Sequence, residues 1–390
     1  MNTRLHKLVT GSVLAGIILG GQVFADYNKL IQTLESKGTI SADEASELKI
    51  QPVMPDNKWA QKMEIRGRVH VQAAYVDGDN DVNSGDYSTF ELRRARMGAR
   101  IALPNNFRGH IEGNLMPDPS LRAAYIQWRE HKPAYIKVGY DKPLSSLEEN
   151  TSSSAILTVE RSNLTNTLAA PGETVGLLVE GEMAPLFYGF GLYNDEGDVR
   201  NTEKESAEYL FNARGGVELE LAEDSTLIAM VTYLQSDDPN GNVGGDYEDV
   251  TIASLHFTSG AFDIRAEYMI GSAEDSDTDG FYIQPSMMLS DKLQAVVRYE
   301  QMESDDAKGI RATSRYGRRS DAVITGVDEE GGNIVADKGD EFSALYAGLN
   351  YYLSGNGNKI MLGVEFNELS NTSAGDYETT TVFTAWRTLF

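Results

Sequence analysis

From about residue 62 onward, apolar and polar side chains alternate one for one. Residues 90–103 show the rule most plainly. Ala95, Met97, Ala99, Ile101 and Leu103 share one face, and Arg94, Arg96 and Arg100, with Gly98 between them, share the other. A strand points successive side chains to opposite faces, so period two is its signature. At helical period the arginines spread around the axis and no apolar stripe remains. The pattern recurs along the chain. Ile65, Val69, Val71 and Tyr75 back onto Arg66, Arg68 and His70. Phe107, Ile111 and Leu115 back onto Arg108, His110 and Glu112, and Ile136, Val138 and Tyr140 onto Lys137. Later strands set apolar faces against Arg214, Arg265 and Arg298. Residues 121–129 and 226–234 are apolar on both faces, which points to a subunit contact or to packing against an inserted loop.

About 16 such segments run to the C-terminus, separated by turn signals. The breaks alternate in length. Pro104-Asn105, residues 131–133, Ala184-Pro185, residues 222–224, Ser259-Gly260, Ser290-Asp291 and residues 354–357 are short. Residues 77–87, 142–172, 195–205, 237–246, 272–280 and 303–339 are long, and residues 116–119 are short where a long break is due. Sorting of long and short connections to alternate ends marks a transmembrane barrel with external loops and periplasmic turns. A soluble sandwich has no reason to sort its loops this way.

The N-terminus predicts where the chain goes. Arg4, His6 and Lys7 precede an apolar run over residues 8–21 and a Val23-Phe24-Ala25 cleavage site. Residues 1–25 therefore read as a cleaved signal peptide. In residues 26–50, Leu30, Ile31, Leu34, Ala45 and Leu48 recur at helical spacing, with a stop at Lys37-Gly38 and a capping box at residues 41–44. This short helical periplasmic segment, followed by a Pro52 and Pro55 linker, extends to residue 61. It reads either as a self-associating coil or as a periplasmic appendage that meets peptidoglycan or another periplasmic partner. Residues 62–390 form the barrel. The expected fold class is all-β, a transmembrane antiparallel β-barrel in the bacterial outer membrane, facing lipid.

Composition narrows the chemistry. The net charge of −25 excludes nucleic acid as a partner. With no cysteine in an exported chain, the fold must close by hydrogen bonds and packing. No Gly-x-Ser-x-Gly, His-Glu-x-x-His or phosphate-loop motif occurs. The expectation is no enzyme, no cofactor and no metal. The acidic stretches at residues 77–81 and 274–279 read as solvated loops, because Ser88 stands where a calcium loop starting at Asp77 needs its bidentate Glu.

The inward faces carry the candidate solute path: Arg66, Arg68, Arg94, Arg96, Arg100, Arg108, Lys137, Arg214, Arg265 and Arg298, with Arg387 near the end. Glu64, Glu112, Glu218, Asp263, Glu267, Glu300 and Glu365 share those faces. Guanidinium suits transient hold on phosphate, sulfate or carboxylate, and a narrow channel feels its own lining more than its net charge.

Residues 142–172 read KPLSSLEENTSSSAILTVERSNLTNTLAAPG and lead to Gly176. This resembles the corresponding loop of the phosphate-selective porin O and P family. The shared pattern is Pro143-Leu144, Leu147-Glu148, the run from Thr151 to Ser154, Glu160-Arg161, Pro171-Gly172 and Gly176. The upstream Arg93, Arg94, Ala95 and Arg96, the N-terminal segment and the terminal Phe390 are similar too. The resemblance implies a 16-stranded outer-membrane barrel, usually a homotrimer, whose third loop folds inward and narrows the pore. It also implies anion passage along arginine rows and constriction lysines. Lys142, Glu148, Glu160 and Arg161 are then the candidate constriction residues. Lys142 and Lys308 are the candidate lysines, with Arg311, Arg315, Arg318 and Arg319 in a loop whose path the sequence leaves open.

The expected function is passive diffusion of small solutes, favouring small anions such as phosphate. Two alternatives stay open: a general or weakly cation-selective channel, if the lumen acids dominate, and a structural tether in which the barrel is the anchor and the N-terminal helices bind peptidoglycan or other periplasmic partners.

Overall fold

The computed structural model describes residues 60–80, 84–116, 118–195, 208–237, 247–274, 276–306, 309–312, 316, 324–327, 333–335, 338–370 and 376–390. The leader and helical segment expected before residue 60 lie outside them.

Sixteen strands close into one antiparallel barrel. They are β1 (Lys62–Asn80), β2 (Ser84–Ala102), β3 (Phe107–Asn114), β4 (Ser120–His131), β5 (Ala134–Asp141) and β6 (Thr174–Met183). Next come β7 (Leu186–Asn194), β8 (Tyr209–Ala222), β9 (Ser225–Ser236), β10 (Asp249–Ser259), β11 (Phe262–Ala273), β12 (Ser276–Ser290) and β13 (Leu293–Ser304). Two small hairpins interrupt the run: β14 (Ile310–Arg311) pairs with β17 (Lys338–Gly339), and β15 (Ile324–Val327) with β16 (Asn333–Val335). The wall resumes with β18 (Glu341–Ser354), β19 (Asn358–Ser370) and β20 (Tyr377–Leu389), which pairs back onto β1.

Outward side chains are apolar and exposed, among them Ile65, Phe90, Ile126, Val138, Leu192, Leu255, Phe281, Leu345 and Trp386. With lipid on that face, their exposure costs nothing and backbone polarity is met strand to strand. Tight turns gather at one end. At residues 104–107, Asn105 and Asn106 take φ of 57° and 60°, the double left-handed turn that two-residue hairpins favour. Gly260 and Gly355 supply positive φ in two others.

Two expected loops turn out to be strand. β1 and β2 pair as far as Asp79 and Ser84, and β11 and β12 as far as Ala273 and Ser276. Backbone pairing continues into these polar stretches, where outward tyrosines bond acids: Tyr75 to Asp86 and Tyr268 to Asp279. The alternation in those stretches is polar on both faces, so hydropathy alone ends the strands too early.

The interior is filled unevenly. The connection between β5 and β6 folds into the barrel as α1 (Leu147–Asn150), α2 (Asn163–Leu168) and extended segments. Leu164 and Leu168 join Leu234, Ile252, Met269, Tyr282 and Met302 from the wall in one core. Leu157 and Val159 join Val296, Tyr346, Met361, Phe383 and Ala385 in another. Leu234 thus explains the two-faced apolarity of residues 226–234 as packing against the inserted loop. The connection between β13 and β18 also turns inward: Ile310 and Ala312 enter the first core. Tyr316 reaches the inner face of β1 and β2, where it donates to Glu91 at 2.6 Å and pairs with Gln72.

Candidate functional site: the loop-narrowed channel

The inserted loop is held by wall groups that answer its exposed backbone. Each of its short helices begins at a serine whose hydroxyl accepts a backbone N–H: Ser146 from Glu149 and Ser162 from Thr165. Glu267 accepts from the Leu147 and Glu148 nitrogens at 2.6 and 3.0 Å. Glu300 accepts from the Leu164 nitrogen at 3.1 Å. Cations meet the carbonyls: Arg387 donates to Ser153 at 2.6 Å, and Lys359 to Ile156 at 2.7 Å. Asn350 donates to the Leu157 carbonyl at 2.8 Å. Glu148 turns into the loop and accepts from Ser162 nitrogen and hydroxyl.

Arg298, expected on the solute path, is corrected here. It is 1% exposed, lies between wall and loop, and meets Glu148, Glu300 and Glu365 at 3.3, 3.5 and 3.0 Å. Three carboxylates around one guanidinium make it an anchor. Arg387 is likewise an anchor rather than lining. Arg265 shares Asp263 with His256 and adds little free charge.

What remains open is a chamber of about 700 Å³ bounded by β1 to β6, β8 and the loop. Among the described residues ten cations line it: Arg68, Arg93, Arg94, Arg96, Arg100, Arg122, Lys137, Lys142, Arg161 and Arg214. Six carboxylates face them: Glu112, Asp141, Glu149, Glu160, Glu173 and Glu180. The charge is lopsided. β1, β2 and β4 bring six arginines and the neighbouring β3 only Glu112, whereas the loop, β5, β6 and β8 bring four cations and five carboxylates. Of the remaining expected path residues, Arg66 stands on the inward face opposite Gly98, and Arg108 opens into a separate cleft nearer the short turns.

Arg93 and Arg122 escape the alternation rule. The β1–β2 register passes from His70–Arg94 to Val71–Leu92, so Arg93 is an inserted residue. The β3–β4 register passes from Glu112–Ala123 to Gly113–Leu121, so Arg122 is another. Such bulges place two consecutive side chains where one is due. Both arginines are tied to carboxylates of the inserted connection: Arg93 to Glu160 at 2.8 Å, and Arg122 to Glu173. The doubled Arg93-Arg94 and the broken alternation at 121–123 were the available signals.

Ion pairs absorb much of the remaining charge. Arg68 and Arg96 share Glu112 at 2.9 and 3.4 Å. Lys137 holds Asp141 at 2.7 Å, and Lys142 and Arg161 share Glu149. Arg161 also clasps the Glu148 and Thr151 carbonyls. Arg94 makes no ion pair among the described residues, and its Nε is buried without a partner. Burial, aided by Arg161, pushes the Lys142 ammonium down to about 7 despite its contact with Glu149. Burial pushes the Glu160 carboxyl up, but the charge and hydrogen bond of Arg93, with Arg94 behind, hold it well below the usual range. Lys308, Arg315, Arg318 and Arg319 lie outside the described residues; Arg311 is exposed on β14.

A family model described as "Phosphate-selective porin O and P" matches residues 63–258. No curated protein sequence matches significantly. Solved structures with a similar fold include the outer membrane channel DcaP of Acinetobacter baumannii, 14% identical, TM-score 0.52, covering 84% of this chain and 97% of that one. An anion-selective porin from Comamonas acidovorans is 12% identical with TM-score 0.53 over 84% of this chain and 99% of that one. The trimer form of OmpT, an outer membrane protein of Vibrio cholerae, is 11% identical with TM-score 0.53, over 84% and 99%.

Proposed function

Because this chain belongs to the phosphate-selective porin O and P family, and is an outer-membrane channel for small solutes, we propose that its pore favours small anions. The observation that carries this reading is the excess of cations in the open chamber, with Arg94 at its wall making no ion pair among the described residues. Desolvated guanidinium holds oxyanions and carboxylates through charge-assisted bonds. In a water-narrowed passage such fixed charges act more strongly than in bulk. Phosphate belongs to this class of solutes; the family description supports it and the chamber's arginines are chemically suited to it. The carbonyl-bound and ion-paired cations shape the passage, and Arg94 with the half-shared Arg68 and Arg96 supplies its attraction.

The test is the reversal potential of the purified protein in a planar bilayer under a potassium chloride gradient. An anion-favouring potential is expected for the wild type, falling toward zero in Arg94→Gln. A cation-favouring wild-type potential sinks the reading and leaves a general or weakly cation-selective porin.

A homotrimer is part of the same proposal. β3 and β5 have 8 residues each, short of the roughly 9–11 that a tilted spanning strand needs. Their exposed Ile111 and Val138 suit cover by a second copy. The mass of the detergent-solubilised protein by light scattering decides it. The leader belongs here too: sequencing of the mature N-terminus is expected to start at Asp26.

A further inference from the structure

Glu160 brings a negative charge from the inserted loop into the chamber, beside Arg93 and Arg94. Either guanidinium could neutralise it. Arg93 takes it as a fork: Nε donates to Oε1 at 2.8 Å and Nη2 to Oε2 at 3.1 Å. Gln72, inward on β1, donates to Oε1 at 2.7 Å. Both carboxylate oxygens are therefore engaged from the side of Arg93 and Gln72. The backbone behind them is held as well. The Glu160 carbonyl accepts from the Thr158 hydroxyl at 2.7 Å and from Arg298 at 3.2 Å.

The bulge in β2 makes this division possible. A strand in regular register turns one of two consecutive side chains to the outer face. The inserted residue lets Arg93 and Arg94 both reach the chamber. One binds the loop carboxylate, and the other makes no ion pair among the described residues. The bulge in β4 repeats the arrangement, since its inserted Arg122 takes Glu173 at the far end of the same connection. Arginine suits the task because a guanidinium meets both oxygens of a carboxylate at once. An ammonium is a point charge and leaves one oxygen to a neighbour.

Resting on the anion reading above, we propose that Arg93 is a specificity-determining positioning residue of the pore: its fork keeps the Glu160 carboxylate from Arg94 and so leaves the Arg94 guanidinium to the solute. The formal charge of the chamber is the same whichever side chain Glu160 binds. What changes is the kind of group left free. A free guanidinium offers two parallel N–H bonds to a carboxylate or other oxyanion, whereas a halide cannot use them as a pair. Charge thus sets anion over cation, and Arg93 sets oxyanion over halide.

The purified full-length protein in a planar bilayer tests this with two readings. Under a potassium chloride gradient, wild type and Arg93→Lys are both expected to favour chloride, because the formal charge is kept. With potassium chloride on one side and potassium acetate on the other, the acetate-to-chloride permeability ratio is expected to fall in Arg93→Lys to the value found in Arg94→Gln. In a Glu160→Gln background the same Arg93→Lys change is expected to leave the ratio where it is, since no carboxylate remains to be misdirected. The heat-resistant folded band on a gel shows that each variant has formed its barrel, and a wild-type single-channel conductance shows that the loop is seated. If Arg93→Lys keeps the wild-type ratio, or lowers it equally in the Glu160→Gln background, Arg93 positions nothing and the inference is overturned. A lowered ratio that comes with a raised conductance marks a loosened loop and overturns it too. A cation-favouring wild-type potential in the chloride gradient rejects the anion reading itself.

Discussion

Single residues divide into three trades that alternation cannot tell apart. Arg94 faces the passage with no ion pair among the described residues, Arg68 and Arg96 share a carboxylate, and Arg298 is an anchor. All sit on inward faces, so the sequence identifies their side of the wall and leaves their partners unread. Lys142 supports a prediction at this scale. Glu149 and Glu173 on one side and Arg161, Arg122 and Arg94 on the other surround it, and its ammonium is pushed down to about 7. It is charged below that pH and loses its charge as pH rises through it. Anion preference, read as reversal potential, should therefore fall between about pH 6 and pH 8, the span of one group titrating near 7. Lys142→Gln should flatten that dependence; an unchanged slope in the variant assigns it elsewhere. Arg93 and Arg122 were out of reach of period-two reading. An inserted residue in a strand changes register without changing composition, and only the doubled arginine and the break at 121–123 hint at it.

At the scale of elements, the inserted loop is a small fold with a wall for its solvent. Water satisfies the helix ends of an ordinary loop; here Glu267 and Glu300 take the nitrogens, and Arg387, Lys359 and Asn350 take carbonyls. The family-like motif made the loop recognisable, but its anchors were not. A glutamate on an inward strand face looks the same in sequence whether it meets water or a helix N-terminus. Arg298→Met tests the arrangement. It leaves Glu148, Glu300 and Glu365 buried around an empty centre, and losing one partner of a buried pair costs about 3–5 kcal/mol. The loop should loosen, giving larger and noisier single-channel currents with a lowered thermal midpoint. Quiet wild-type currents from a folded variant would show that the loop is seated by its apolar residues alone.

For the whole molecule, the alternation of faces and of connection lengths was enough to give the barrel and its strand number. What failed were the ends of β1, β2, β11 and β12, where polar residues pair as well as apolar ones do. The β1–β20 seam that closes the barrel runs on to Phe390. Phe390 exchanges backbone hydrogen bonds with Gly67 at 2.7 and 3.0 Å, and its ring occupies the space a Cβ at Gly67 would need. That ring can swing aside, whereas at Gly98 a Cβ would meet the Ile111 carbonyl and the Glu112 backbone, so Gly98→Val should cost roughly 1–3 kcal/mol by overpacking. It should also reduce the heat-resistant folded fraction on a gel, while Gly215→Ala, where a Cβ meets open space, should leave it intact.

The lopsided chamber has one more consequence. Positive charge concentrated on β1, β2 and β4, opposite a faintly negative loop side, produces a field across the passage as well as along it. Such a field exerts a torque. A molecule with separated charges must turn its negative end to the arginine wall before it advances, and it gives up rotational freedom in doing so. A spherical halide pays nothing of the kind. Two isomeric amino acids that differ only in the distance between amine and carboxylate should therefore cross at different rates in a vesicle-swelling assay, although their size and net charge are the same.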